Sequence, residues 1–181
     1  MAKAPQLVAV VIALVLILSA AGYGITRGLT QHGFQQFTSS TKGYTIDYPT
    51  GWVVERDKPV LGTSDNLTTD NFVSPDKKAT VDVECVRLTR PLTIDDFLEN
   101  QVNALNLGGV SDLRIESARL IVAATEAPLM DYYSFTTQGS TMYFTTALIV
   151  KDCGWLITIG HTDTRTYRDL FERIARSFQP Q

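Results

Sequence analysis

Gly43-Tyr44-Thr45-Ile46-Asp47-Tyr48-Pro49-Thr50-Gly51-Trp52 opens the folded part of the chain. Tyr44, Ile46 and Tyr48 alternate with Thr45 and Asp47, the period of a strand with one buried face. Pro49-Thr50-Gly51 is turn chemistry, because proline presets φ and glycine tolerates a positive one. Trp52-Val53-Val54 then resumes an extended segment. The stretch predicts a hairpin with aromatic residues on one face.

Beyond the hairpin, residues 55–70 lack periodicity and hold Pro59, Gly62 and a polar run that includes Asp65 and Asn66. They read as an irregular surface loop, a common place for partner contacts. Asn66-Leu67-Thr68 also matches a glycosylation acceptor. A short strand at 71–74 and a turn at Ser74-Pro75-Asp76-Lys77 follow. The next strand, 79–88, sets Val81, Val83 and Cys85 on one face and Asp82 and Glu84 on the other, a half-buried pattern with the acids outward.

Thr93-Ile94-Asp95-Asp96 offers a threonine cap with an acid at the third helical position. Ile94, Phe97, Leu98, Val102 and Leu105 recur at helical spacing before Gly108-Gly109 stops the run. Strands are expected at 110–118, 119–125, 130–136, 141–150 and 155–161, joined by turns at Gln138-Gly139-Ser140 and Lys151-Asp152-Cys153-Gly154. Residues 164–178 put Tyr167, Leu170, Phe171, Ile174 and Phe178 on one helical stripe. Strands in series with two amphipathic helices predict an α+β domain built on a mostly antiparallel sheet.

Upstream, residues 7–25, from Leu7 to Ile25 (LVAVVIALVLILSAAGYGI), carry no charge. As a helix they would span roughly 28 Å, enough to cross a bilayer. A cleaved signal peptide is the alternative, with Lys3 as the basic region and Ser19-Ala20-Ala21 as the cleavage site. The uncleaved anchor is favoured because the apolar run continues to Ile25. Either reading exports the domain, and the expected organisation is an anchor at 1–27, a polar linker at 28–42 and the domain at 43–181, single-pass and extracytoplasmic.

All 19 acidic residues, and all but Lys3 and Arg27 of the 16 basic ones, lie beyond residue 27. An acidic domain without a clustered basic footprint is not expected to bind nucleic acid. No P-loop, dinucleotide fingerprint or paired-cysteine zinc motif occurs, so no cofactor and no metal site is expected.

At this point the layout resembles the PsbP-like family, named for an extrinsic subunit of photosystem II and sharing its fold with small bacterial lipoproteins and a Ran-binding factor. The resemblance covers roughly residues 37–178. It rests on Gly43-Tyr44, Tyr48-Pro49-Thr50-Gly51-Trp52, Phe72-Val73-Ser74-Pro75, Tyr132-Tyr133 and the closing helix from Tyr167 to Phe178. The resemblance implies an α/β/α sandwich with an antiparallel central sheet and no common chemistry. An anchored chain departs from a soluble lumenal subunit, which puts a direct photosystem role in doubt.

Catalysis would have to use His161, since the other histidine, His32, lies in the linker. Gly160-His161-Thr162-Asp163 places an imidazole near a carboxylate, but a polar strand-to-helix connection explains the same residues. The function expected is therefore a non-catalytic accessory or protein-interaction module. The alternatives are a small-ligand or metal carrier in the envelope, or a hydrolase using His161 and Asp163. Tyr132 and Tyr133 split across the sheet, so with Asp65 and Asn66 they are the candidate partner surface. Cys85 and Cys153 are expected to be separate thiols, one mid-strand and one in a turn, with a disulfide as the alternative.

Overall fold

The computed structural model describes residues 33–59, 67–135, 141–162 and 167–181. These residues form β1 (Phe34–Ser39), β2 (Tyr44–Pro49), β3 (Val53–Pro59), β4 (Thr68–Val73), β5 (Ala79–Val86), α1 (Ile94–Leu107), β6 (Ser111–Val122), β7 (Thr125–Phe135), β8 (Thr141–Val150), β9 (Gly154–His161), α2 (Arg168–Ser177) and β10 (Gln179–Pro180). Seven strands make one antiparallel sheet in the order β3-β4-β5-β9-β8-β7-β6, and β1-β2-β10 make a second.

Strand β9 shows why the large sheet sits in the middle. It lies between β5 and β8, and every residue of Gly-Trp-Leu-Ile-Thr-Ile-Gly-His is buried, the signature of a strand covered on both faces. On one face α1 buries Phe97, Ala104 and Leu105 against Met130, Leu148 and Leu156. On the other, α2 and the small sheet bury Phe171, Ile174, Tyr44 and Ile46 against Val81, Val83 and Ile157. The domain is α+β, with two helices and a mostly antiparallel sheet.

Local chemistry fixes the helix ends. Asp96 N–H donates to Thr93 Oγ1 at 3.1 Å and Thr93 N–H to Asp96 Oδ2 at 3.3 Å, a reciprocal capping box, and Asp95 and Asp96 in the first turn oppose the helix dipole. Gly109, at φ +74°, ends α1. Gly154 faces the Phe97 ring so closely that a Cβ would lie 2.5 Å from it, which reserves the start of β9 for glycine.

Several expectations need correction. The hairpin expected from residues 44–54 does not form: β2 pairs with β1 and β10, whereas β3 pairs with β4. Gly51, at φ +91°, lets the chain change sheets at that turn. Part of the expected linker is strand β1, which pairs with β2 from Phe34 to Ser39 and buries Phe37. Residues 55–70 are not wholly irregular, since β3 and β4 claim both ends. The strands expected at 110–118 and 119–125 are one strand, β6, which turns into β7 through Ala123 and Ala124 at φ +48° and +60°. Alanine is not a usual residue for such a turn, so no turn signal marks it.

The cysteines are also corrected: Cys85 and Cys153 form a disulfide, with Cα atoms 5.9 Å apart. Cys153 does sit in the turn before β9, but β9 pairs with β5 so that Cys85 faces Trp155, only two residues along. Register places the two thiols diagonally across a strand pair, within bridging reach. Asp82 and Glu84 are not on a solvated face: Glu84 is buried, Asp82 is half-buried, and each has an inaccessible carboxylate oxygen. The expected anchor at 1–27 lies outside the described residues. Among the described residues no helix is long and apolar enough to cross a membrane.

Candidate binding cleft

At the end of the large sheet nearest α2, register brings aromatic side chains into one row. Tyr133 on β7 lies opposite Tyr143 on β8, and Tyr143 lies opposite His161 on β9. Their ring centroids are 6.3 Å and 6.1 Å apart, and Tyr167, just before α2, brings its ring to 5.4 Å from His161. The first three of these rings line a cleft of about 680 Å³ whose other walls include Arg114, Asp131 and Arg168. That volume is within the range that holds a small ligand or a few side chains.

Beneath the aromatic row the polar groups are committed to one another. Thr145 Oγ1 donates to Asp131 at 2.7 Å. Arg168, the first residue of α2, donates to both oxygens of Glu116 at 2.7 and 2.6 Å, to Glu172 at 2.9 Å and to Asp131 at 3.3 Å. The Arg168 hydrogen bonds hold the Glu116 carboxyl well below its ordinary range. Partial burial, then the hydrogen bond to Glu116, pushes Asp131 up to about 6. The two acids therefore titrate as a pair, with Glu116 carrying the charge beside the guanidinium. An Arg held bidentately by one acid and flanked by two more is a rigid strut between α2, β6 and β7.

The candidate residues named from sequence fare differently. Tyr133 lines the cleft, half-buried. Tyr132 contributes to the cleft lining beside Tyr133, but its side chain is 5% exposed and stacks on Phe144 at 5.1 Å on the face covered by α1. Asp65, Asn66 and Asp163 lie outside the described residues. His161 lines the cleft but is itself buried between Tyr143 and Tyr167. The disulfide is at the opposite end of β9 from the cleft. Among the described residues no three His, Cys, Asp or Glu side chains converge as a metal site. Sequence reading missed Tyr143, Asp131, Arg168 and Glu116, because what unites them is the register of strands far apart in the chain.

No protein-family model and no curated protein matches the sequence. Solved structures do match. A cyanobacterial PsbP from Synechocystis sp. PCC 6803 aligns with 87% of this chain and 98% of its own at TM-score 0.54 and 17% identity. The Ran-binding protein Mog1p of Saccharomyces cerevisiae aligns with 82% of this chain and 96% of its own at TM-score 0.53 and 12% identity. A protein of unknown function from Pseudomonas aeruginosa, described as a putative regulator, aligns with 82% and 97% at TM-score 0.52 and 10% identity. At such identities the likeness is one of fold. The domain described above has the PsbP-like fold that these structures share.

Proposed function

We propose that this chain is an extracytoplasmic accessory module, held to a membrane through residues 7–25, that grips a segment of a partner protein in the Tyr133–Tyr143 cleft without performing chemistry on it. The observation that carries the reading is the open aromatic row over a polar floor whose groups satisfy one another. Tyrosine and arginine are enriched among the residues that anchor protein interfaces, tyrosine because it offers a large area and a polar tip at low entropic cost. The strut of Arg168, Glu116, Asp131 and Glu172 keeps the cleft preformed, which lowers the cost of ordering on binding. Two further features support the reading. The Cys85 to Cys153 disulfide suits an oxidising compartment, and one protein of the same fold is Ran-binding by name.

Photo-crosslinking tests it. With a benzophenone amino acid at position 143 of the full chain, irradiation of intact membranes is expected to give one discrete protein adduct. The same probe at Glu99, exposed on α1, is expected to give none. Equal smears from both positions would overturn the assignment of the cleft as the partner site.

A further inference from the structure

The face of the large sheet on which α1 packs also carries a polar lane that the cleft does not use. In it Asn71 on β4 lies directly opposite Asp82 on β5, and Glu84 follows two residues along on the same face. Such opposed residues have Cβ atoms about 5 Å apart. Asn71 is 3% exposed and Glu84 5%. Asn71 Oδ1, Asp82 Oδ1 and Glu84 Oε1 are all inaccessible, and none accepts a hydrogen bond.

An unpaired buried acceptor costs the free energy of its desolvation, and more when it is charged. Three on one patch therefore call for a common electropositive partner. Neighbouring side chains do not supply it. The hydroxyls of Thr146 and Thr158, the latter opposite Asp82, bond each other at 2.9 Å, and Thr69 Oγ1 donates to Val83 O at 3.2 Å. Among the described residues no ion pair includes Asp82 or Glu84.

Two carboxylates and an amide carbonyl, with hydroxyls alongside, are oxygen donors only. Hard divalent cations take such sets, whereas zinc or copper would call for nitrogen or sulfur. We propose that Asn71, Asp82 and Glu84 bind a divalent cation of the calcium or magnesium class, which water completes to a full coordination shell. Burial raises the Asp82 carboxyl to about 7, and burial with the neighbouring Asp82 raises Glu84 to about 8; a cation bound between them would lower both. The site lies apart from the cleft and does not depend on its function.

The test is thermal unfolding of the metal-stripped full chain in detergent near pH 7.5, with calcium or magnesium added separately. One of the two ions is expected to raise the midpoint saturably, as a ligand that binds only the folded state does. The isosteric variant D82N/E84Q is expected to lose that rise and to unfold at a higher midpoint than the metal-free wild type. N71S, which keeps both acids, is expected to need more ion for half the effect. No saturable rise with either ion would overturn the proposal and assign the two acids as protonated. A rise that persists in D82N/E84Q would overturn it too, by placing the ion elsewhere on the surface.

Discussion

Asp70→Asn is expected to destabilise the fold by about 3 kcal/mol, the lower end of the cost of breaking a buried ion pair. Asp70 is 1% exposed on β4 and accepts three hydrogen bonds: from Tyr44 Oη at 2.7 Å, from Lys42 Nζ at 2.8 Å and from the Asp57 backbone N–H at 3.0 Å. It thereby ties β2 of the small sheet to β3 and β4 of the large one. Lys42 also reaches Asp57 at 2.6 Å, which keeps one acidic partner for the ammonium and limits the loss.

The same group sets a pH dependence. Burial alone would raise the Asp70 carboxyl, but the Lys42 ammonium, the Asp57 N–H and the Tyr44 hydroxyl together hold it below its usual range. A depressed folded pKa contributes stability that is complete above the unfolded value, roughly 3.9, and is lost as pH falls below it. Urea unfolding of wild type and variant should therefore differ by the full amount at neutral pH, and the gap should close below about pH 4. A gap that stays constant to low pH would show that Asp70 acts through shape and not charge.

Opening the Cys85 to Cys153 disulfide has the largest expected effect. The bridge joins residues 68 apart, and closing such a loop in the unfolded chain corresponds to roughly 4 kcal/mol. It crosses the pairing of β5 and β9, the centre of the large sheet, where Trp155 and Val83 pack against Tyr44 and α2. The double variant Cys85→Ser, Cys153→Ser should lower the urea midpoint strongly, and a reductant should shift wild type to nearly the same value. Coincident oxidised and reduced unfolding curves would contradict this.

Much of the fold is legible in the sequence where local and tertiary demands agree. The limits of β8, the Thr93 and Asp96 capping box and the apolar stripe of α2 all follow from periodicity and end chemistry. Misreadings arise where a tertiary partner overrides a local pattern. Tyr44 to Trp52 has the pattern of a hairpin, yet Gln179 and Pro180, more than a hundred residues later, take one side of β2. Asp82 and Glu84 alternate with valines as exposed acids would, but their strand lies in the sheet interior. The cleft is legible only in part: Tyr133 and His161 stand out as residue types, while the Tyr143 between them belongs to the row only through the pairing of three strands.

On the proposed function, the aromatic row is where a partner is held. Tyr133→Ala combined with Tyr143→Ala removes two half-buried rings from the cleft wall and leaves the strut of Arg168 and the buried His161 in place. For the partner identified by crosslinking, the dissociation constant measured for wild type and for this variant is the most direct test. At about 1–2 kcal/mol for each of the two anchoring rings, binding should weaken by roughly thirtyfold or more while the unfolding midpoint moves little. Unchanged affinity in a folded variant would contradict the account and move the partner site elsewhere on the domain.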